Sequence, residues 1–317
     1  MNFANHTPLS AELLRTTIDK DRILASVLAR ATFTFARGRS ELADEQVWKI
    51  CKEPTPTEHG MIEMDQVLRK GGVDLFLFGT VIAPGRTRTS AVRVGLDVGS
   101  FRRQAIVVGD RVWRKEGRKL VPTPPMPFTS MPLVLERAFG GKTSWDGLEL
   151  QHPDNAKGLG YYNTEDEAAG GPLPNIEEAD TPIQSWSDRP SPAGFGFCPM
   201  QSYLRLSEGL KLDEEGNPIE LTARLFNAAF PKMVAPAVEP ADPVRITGMA
   251  GQPIELAIPV LPLMLRLRFG AESFEQKPLI EQVGIEVDHQ RMFITYRFPF
   301  RYRTIAGQQR TCELALA

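Results

Sequence analysis

The sequence predicts a mainly β fold: a β-sandwich or barrel-like framework that carries a long irregular Gly/Pro-rich insertion and one or two short helices. Three observations point to this class. Glycine and proline each contribute 26 of the 317 residues, so the chain has many turns and few long helices. Apolar and polar residues alternate with the two-residue period of strands near both ends of the chain. Apolar patterns with the period of a helix are sparse throughout.

The N-terminal part contains three strand patterns. Every second residue from 23 to 35 is apolar, and polar residues lie between them toward the end of the run. This alternation predicts a strand with one buried face and one solvent-exposed face. Residues 73–82 are apolar on both parities, which predicts a central strand buried on both faces. Residues 92–98 alternate again, and a further apolar stretch runs from 105 to 113. We expect a hairpin here, with a glycine such as Gly109 supplying the positive φ of the turn.

The C-terminal part repeats these patterns. Residues 261–269 alternate apolar side chains with Arg266 and Arg268, and residues 285–298 predict a second hairpin that turns at 288–290. Asn217-Pro218 is typical of a helix start, so we expect a short helix near 218–230. A second short helix is expected at 10–18.

The middle of the chain differs from both ends. Between residues 122 and 199 there are 12 prolines and 9 glycines, together with several aromatic residues that a disordered linker would lack. Long loops inside compact domains are usually ordered or functional. The prediction is therefore one unit over 1–317. Its candidate subdomains are an N-terminal β part at 20–121, the insertion at 122–200, and a C-terminal β part with a short helix at 201–317.

Charge and cysteine content exclude several classes of protein. The net charge is −2, from 37 basic and 39 acidic residues, which gives no general bias toward nucleic acid or membrane. The three cysteines lie far apart and lack zinc-site spacing, so neither a zinc site nor a disulfide framework is expected. The N-terminus has no secretory-signal pattern, and no apolar run is long enough to cross a bilayer. We expect a cytoplasmic protein with no cofactor.

Charge also segregates along the chain. Residues 86–119 carry ten basic and three acidic side chains, a net of +7, whereas residues 146–188 carry ten acidic side chains and one lysine, a net of −9. The two blocks either face each other in the fold or form docking surfaces for a charged partner.

Motifs for catalysis or metal binding are weak. His152 and Asp154 are close enough to form half of a metal site, but no second histidine is near, and a solvated loop histidine is expected. Cys198 follows a glycine-rich stretch, but nothing nearby supplies a general base, so a buried structural thiol is expected. Gly140-Gly141-Lys142-Thr143 ends like a phosphate loop, but Glu136 stands where that motif needs its first glycine.

Two alternatives to a binding protein remain open. Paired carboxylates, such as Glu177 with Glu178 or Asp110 with Glu136, would serve a carbohydrate-active hydrolase on a β framework. The basic block at 86–119, with the aromatic residues Phe101 and Trp113, would serve a nucleic-acid binder.

An ordered series of motifs is more specific than any of these features. It includes Gly79-Thr80-Val81-Ile82-Ala83-Pro84, Val108-Gly109-Asp110-Arg111-Val112-Trp113, Glu136-Arg137-Ala138-Phe139-Gly140-Gly141 and Ser187-Asp188-Arg189-Pro190-Ser191-Pro192-Ala193-Gly194-Phe195-Gly196. Phe226-Asn227-Ala228-Ala229 follows downstream. This series resembles a bacterial family long known as a domain of unknown function, whose members are encoded in type VI secretion gene clusters.

The resemblance implies a role and a set of partners. It implies a non-catalytic adaptor or chaperone that binds a toxic effector and loads it onto the spike or spike-tip protein, without binding membrane or nucleic acid. It supplies no catalytic, cofactor or metal residues. The motif residues have structural interpretations, such as fixed backbone, φ > 0 and ion pairing. They are Gly109, Asp110, Arg111, Trp113, Pro132, Glu136, Arg137, Gly140, Gly141, Asn175, Glu177, Asp188, Arg189, Pro190, Gly194 and Gly196.

The middle segment is the expected contact surface of such an adaptor. Aromatic side chains supply much of the binding energy at protein interfaces, and surrounding acidic residues steer a basic partner. The candidate partner-binding residues are Trp145, Tyr161, Tyr162 and Trp186.

Overall fold

The computed structural model describes residues 1–36, 38–67 and 69–317, and strands dominate this part of the chain. It contains 28 strands, two short α-helices and four short 3₁₀ segments. The predicted mainly β class, with an irregular middle segment and one or two short helices, is confirmed. The sheets are open and do not close into a barrel.

The first 122 residues form twelve strands. These are β1 (Asn2–Asn5), β2 (Ser10–Thr17), β3 (Arg22–Ala36), β4 (Arg39–Leu42), β5 (Thr55–Thr57), β6 (Gly60–Ile62), β7 (Val73–Phe78), β8 (Thr80–Ile82), β9 (Ala91–Val98), β10 (Phe101–Val108), β11 (Trp113–Glu116) and β12 (Lys119–Pro122). The buried strand predicted at 73–82 is present as β7, whose six residues are all buried. The hairpin formed by β9 and β10 turns at Gly99, where φ is +52°, rather than at Gly109.

The middle segment contains only short elements. They are β13 (Ser130–Pro132), β14 (Phe139–Gly140), β15 (Lys142–Trp145), β16 (Leu148–Gln151), β17 (Leu159–Gly160), α1 (Glu165–Ala168) and β18 (Ile176–Glu178).

The rest of the chain holds the second helix and ten strands. They are α2 (Tyr203–Gly209), β19 (Leu210–Leu212), β20 (Pro218–Leu221), β21 (Val234–Ala235), β22 (Pro243–Thr247), β23 (Ile254–Ala257), β24 (Leu263–Phe269), β25 (Glu272–Gln276), β26 (Leu279–Glu286), β27 (Arg291–Arg303) and β28 (Arg310–Leu316). The strands predicted at 261–269 and 285–298 are confirmed as β24 and the β26–β27 hairpin.

A seven-stranded sheet forms the centre of the fold. Its order is β2-β3-β27-β26-β7-β21, and β4 also pairs with β3. The long strands β3 and β27 are antiparallel from Arg22 opposite Arg303 to Thr34 opposite Arg291, and β7 lies parallel to β26. Because β7 and most of β26 and β27 are buried on both parities, both faces of the sheet centre are covered.

Two further sheets bury one face each. A four-stranded sheet has the order β1-β28-β24-β25, and a five-stranded sheet has the order β18-β10-β9-β22-β23. In β24, for example, Leu263, Leu265 and Leu267 are buried, whereas Arg266 and Arg268 are exposed. All three large sheets combine strands from before residue 122 with strands after residue 201, and their buried residues join one hydrophobic cluster. The two ends of the chain therefore share one core.

A buried carboxylate fastens the segment that follows residue 226 to the central sheet. Asp74 in β7 accepts hydrogen bonds from the Asn227 side chain (2.9 Å) and from the backbone N–H groups of Ala228 (3.0 Å) and Ala229 (3.2 Å), and Lys70 Nζ lies at 2.6 Å. Burial alone would raise the pKa of Asp74, but the Lys70 charge and these hydrogen bonds outweigh burial and lower the pKa. The Asn-Ala-Ala motif is thus a set of donors for one carboxylate.

Neither predicted α-helix is present. Residues 10–17 pair with β3 as β2. Asn217-Pro218 does not start a helix, because the Asp213 carboxylate accepts the backbone N–H groups of Glu215 and Asn217 and closes a turn between β19 and β20. A short 3₁₀ segment, Ala223–Phe226, follows instead. The two α-helices lie at 165–168 and 203–209, where the sequence patterns gave no prediction.

Candidate functional site

The middle segment packs onto β11 and β12 through a small second core. Trp113, at the start of β11, is only 2% exposed. Its backbone N–H donates to the Gly171 carbonyl at 3.0 Å, and its own carbonyl accepts from Gly170 at 2.8 Å. The other buried members of this core are Leu120, Tyr162, Ala168 and Leu173. Trp113 is thus an anchor for the middle segment.

Polar family-motif residues form a connected network beside this core. The Asn175 side-chain amide donates to Asp110 Oδ1 at 2.9 Å, and Arg137 donates to Asn175 Oδ1 at 2.9 Å. Arg137 also lies 3.6 Å from Asp110. Arg111 donates to Glu177 Oε1 at 2.5 Å. These contacts join the loop after β10 to β18 and to the turn at 135–137, so the network holds the middle segment against the five-stranded sheet.

Gly140 and Gly141 allow two backbone segments to approach closely. Their φ angles are +149° and +111°. A Cβ on Gly140 would lie 2.2 Å from the carbonyl oxygen of Asn155, and the Asn155 side chain donates to the Leu135 carbonyl at 2.8 Å. The Gly-Gly motif is therefore a packing position.

The Asp-Arg-Pro motif forms a turn. Asp188 Oδ2 accepts the backbone N–H groups of Gln184 and Ser185, each at 2.8 Å. Arg189 donates to the carbonyl of Tyr162 at 2.5 Å, and its guanidinium lies over the Tyr161 ring at 5.3 Å. This turn ties residues 184–189 to the middle of the insertion.

The remaining motif residues are spread over the surface and the core. Pro132 ends β13 and pairs with β8, and Glu136 is exposed with Lys157 Nζ at 3.8 Å. Pro190 is half-buried. Two motif glycines lie against aromatic rings of the main core: a Cβ on Gly194 would lie 2.2 Å from Phe230, and one on Gly196 would lie 3.1 Å from Phe78.

The four candidate partner-binding aromatics differ widely in exposure. Trp145 is 61% exposed. Tyr161 is half-buried against Phe139 and His152, and Trp186 is half-buried against the small core. Tyr162 is buried, its hydroxyl donates to the Pro172 carbonyl at 2.8 Å, and burial raises its pKa to about 12. Tyr162 is therefore a core residue and presents no surface to a partner.

Trp145 stands at the tip of a hairpin. It lies opposite Leu148, which is 62% exposed, at the end of the β15–β16 ladder. Asp146 and Gly147 form the turn with φ of +49° and +77°, as in the type I′ turns that close tight hairpins. Lys142 Nζ lies 2.7 Å from Glu149, which pairs opposite Ser144, so this ion pair runs diagonally across the ladder. The hairpin thus presents two large apolar side chains on a narrow projection.

The basic and acidic blocks contact each other. Arg103 donates two hydrogen bonds of 2.7 Å to Glu178, Arg111 pairs with Glu177, and Lys115 lies 3.8 Å from Asp166. The other basic side chains of the block are exposed: Arg86, Arg88, Arg93, Arg102, Arg114, Arg118 and Lys119.

Of the carboxylates considered for a hydrolase, Glu177 and Glu178 do not form a pair. Glu177 and Glu178 are adjacent in β18, so their side chains lie on opposite faces. Each carboxylate is held by an arginine, and Glu178 also accepts from Lys232 Nζ at 2.9 Å. Asp110 is tied to Asn175. Glu177 and Glu178 therefore face apart and are each neutralised by a basic partner, so they do not form the accessible carboxylate pair that glycoside hydrolysis requires.

A cluster that sequence reasoning missed lies at the end of an interior strand of the central sheet. Glu286, at the end of β26, is buried and accepts hydrogen bonds from Trp48 Nε1 at 2.8 Å, His59 Nε2 at 2.9 Å and Arg291 Nε at 2.5 Å. Glu58, His59 and Glu286 lie close enough to share a metal ion. However, Arg291 lies on both carboxylates, 3.5 Å from Glu58. Its charge fills the place of a cation, so this group acts as a structural ion cluster.

The pKa of Glu286 reflects this environment. Burial alone would raise the pKa, but the hydrogen bonds from Arg291, His59 and Trp48 outweigh burial and lower the pKa to about 2. The only sequence signal for this cluster was a glutamate inside an otherwise apolar strand pattern. Its partners at 48 and 59 are more than 220 residues away, beyond the reach of motif spacing.

Two residues considered for chemistry are buried. His152 is not a solvated loop residue: its ring packs edge-on against Phe139 and Tyr161, and burial lowers its pKa. Asp154 accepts hydrogen bonds from the Ser202 hydroxyl at 2.6 Å and from the Leu204 backbone N–H at 2.9 Å, so its carboxylate stabilises the N-terminal end of α2. Cys198 is buried, as predicted, and burial raises the pKa of its thiol to about 12.

Comparison with known proteins identifies the family of the chain. No helix within the described residues is long and apolar enough to span a membrane. No curated protein and no solved structure matches the sequence. A bacterial family described as "Uncharacterized protein conserved in bacteria (DUF2169)" matches residues 20–297, which is most of the chain and includes every motif discussed above. The protein therefore belongs to this bacterial family.

Proposed function

We propose that the protein is a non-catalytic adaptor that acts in the bacterial cytoplasm, where it binds a toxic effector and helps to load it onto the spike of a type VI secretion system. The role comes from the resemblance of the ordered motifs to a family encoded in such gene clusters. The supporting observation is the hairpin tip, where Trp145 and Leu148 are more than 60% exposed.

The hairpin tip has the features of a binding anchor. Tryptophan is enriched among the residues that dominate binding energy. A type I′ turn and a cross-strand ion pair support one conformation of the hairpin backbone that carries the two side chains, which lowers the backbone entropy lost on binding. Asp146, in the turn between Trp145 and Leu148, would favour a partner with a basic residue beside an apolar pocket.

The family motifs support this surface indirectly. Trp113, the Asp110–Asn175–Arg137 contacts and the Gly-Gly position all hold the middle segment in place, and the hairpin projects from that segment. A fixed scaffold beneath an exposed apolar tip is the arrangement that a preorganised binding protein needs.

Capture of neighbouring gene products tests the proposal. The tagged chain would be co-expressed with the effector and the spike proteins encoded beside it, and the copurified amounts would be measured. We expect Trp145→Ala with Leu148→Ala to reduce capture of one partner at least about tenfold without changing the melting temperature. Phe274→Ala is the matched control, because Phe274 is also an exposed aromatic but lies in the four-stranded sheet.

Two results would reject the proposal. If the native chain captures neither effector nor spike protein, the adaptor role is wrong. If capture is intact in the double variant, or is lost equally in Phe274→Ala, the hairpin tip is not the contact surface.

A further inference from the structure

We propose that α2 and the β19–β20 hairpin form a second docking surface, and that its occupant is an amphipathic helix of a partner protein with basic residues flanking an apolar face. The proposal rests on the proposed binding function, because it names the chemistry of one partner segment. It concerns a surface separate from the Trp145 tip.

The surface begins on one side of α2. Tyr203, Leu206 and Leu210 are spaced three and four residues apart, so they share one face of the helix and its end. Tyr203 and Leu206 are exposed and Leu210 is half-buried. Leu210 is also the first residue of β19, so the apolar stripe continues from the helix into the hairpin.

The hairpin extends the same apolar surface. Leu210 lies opposite Leu221, and Leu212 is two residues along, so these three side chains lie on one face of the hairpin. Leu221 is 67% exposed, and Ile219, at the irregular point of the ladder, is 64% exposed. Lys211 and Glu220 form a 2.6 Å ion pair on the other face. The hairpin is therefore polar on one side and unpartnered and apolar on the other.

The opposite side of α2 is firmly anchored. Arg205 is buried, and its guanidinium donates to Glu63 at 2.6 Å and to the Leu225 carbonyl at 2.8 Å. Gly209 lies so close to the 3₁₀ segment that a Cβ there would come within 2.5 Å of Leu225. These contacts fix which side of the helix faces the solvent, so the exposed apolar stripe is a consequence of the fold.

The charges beside this surface indicate which kind of partner it would bind. Glu214 and Glu215, in the turn between β19 and β20, are exposed and have no ion-pair partner within the part of the chain that the structure describes. The basic residues between 203 and 221 are both engaged: Arg205 with Glu63, and Lys211 with Glu220. An acidic rim at the end of an apolar stripe favours a partner with the reverse pattern.

This rim disfavours the other occupants. Two copies of the chain that met through this face would bring like charges together in an isologous contact. A phosphate backbone or an anionic membrane would be repelled for the same reason. A partner strand would find short edges, because β19 and β20 have three and four residues. A helix satisfies its own backbone hydrogen bonds and needs only the apolar stripe, so it fits best.

A designed peptide tests this surface without any secretion protein. The probe is a dansyl-labelled Leu/Lys peptide of about four helical turns, with leucines on one face and lysines on the flanks. Its binding to the full chain would be measured by fluorescence anisotropy. A peptide with glutamate in place of lysine is the charge control.

The expected results distinguish binding at this surface from nonspecific binding of the peptide. Ile219→Ser with Leu221→Ser should weaken binding of the Lys peptide at least about tenfold. Val260→Ser, which changes an equally exposed apolar residue outside this surface, should leave binding unchanged. Glu214→Gln with Glu215→Gln should weaken binding and reduce its dependence on salt. All of these residues are exposed, so the variants should fold, which thermal melting would verify.

Three results would overturn the proposal. The Glu peptide could bind as tightly as the Lys peptide, the hairpin variant could bind as well as Val260→Ser, or sedimentation could show a dimer that the hairpin variant abolishes. The last result would assign the surface to a second copy of the chain. Failure of the peptide test leaves the capture experiment with Trp145 and Leu148 unaffected, so the two proposals fail independently.

Discussion

Replacing Trp113 with alanine tests how the middle segment is held to the sheets. The indole is 2% exposed and is the largest member of the small core. A tryptophan buries about 150–250 Å², which at about 25 cal/mol per Å² gives an upper value of roughly 4–6 kcal/mol. Measured Trp→Ala changes in cores cost about 3–5 kcal/mol. We therefore expect a loss of about 4 kcal/mol in the stability of this core.

The loss should appear first as local opening of the middle segment. This core is separate from the main hydrophobic cluster, so the part of the segment between residues 141 and 173 can open while β18 and the rest of the three large sheets stay folded. A loss of about 4 kcal/mol raises the opened population on the order of a thousandfold. Limited trypsin digestion measures this population when opening is fast compared with cleavage, and Lys142 and Lys157 lie within the segment.

Trp145→Ala is the matched control for this experiment. It makes the same chemical change at a side chain that is 61% exposed, so its effect on stability should be within about 0.5 kcal/mol. The reasoning is refuted if Trp113→Ala is cleaved at the native rate, or if Trp145→Ala is cleaved as fast as Trp113→Ala.

Three other predictions concern buried polar and glycine positions. Glu286 has a folded-state pKa of about 2 against an ordinary 4.5, so its contribution is present above pH 4.5 and is lost as the pH falls toward 2. Urea unfolding should show a loss on the order of 2 kcal/mol over this range after solvent screening, and Glu286→Gln should remove that slope. Asp74→Ala should destabilise by about 3–5 kcal/mol, because it leaves a buried ammonium group unpaired; an unchanged urea midpoint would contradict this. Gly109→Ala places a Cβ 1.9 Å from the Met126 carbonyl oxygen, so thermal melting should show a loss of more than about 1 kcal/mol, and a native melting temperature would disprove the close approach.

Local patterns were sufficient to predict several strands and insufficient to predict the helices. The run at 73–82 is apolar on both parities, a pattern that fits a strand covered on both faces, and β7 lies in the sheet in this way. The Asn217-Pro218 pair has two uses, a helix start or a turn before a strand. The turn formed because Asp213 supplied acceptors for the backbone, and β19 supplied a pairing partner.

The candidate surfaces could be located only in part. The Trp145 hairpin lies in the segment that composition singled out, but the sequence did not separate exposed Trp145 from buried Tyr162, because exposure depends on what packs from elsewhere. The apolar stripe of α2 and β19–β20 was missed. The stretch 203–210 is too short for its periodicity to identify a helix. Glu63, whose carboxylate anchors Arg205 of α2, lies 142 residues from that arginine in sequence.

The sequence by itself determined the mainly β class, the irregular middle segment, the positions of the long strands and, through ordered motifs, the family. These properties follow from local periodicity, turn chemistry and motif order, which depend only on residues close together in sequence or on their order. The tertiary structure decided which strands share a sheet. It also decided that Arg103 and Arg111 pair with Glu178 and Glu177. Glu286 accepts hydrogen bonds from Trp48, His59 and Arg291 for the same reason. It also decided which apolar side chains remain exposed. Each of these depends on contacts between residues far apart in sequence, and such contacts are fixed by the burial of one shared core rather than by any local pattern.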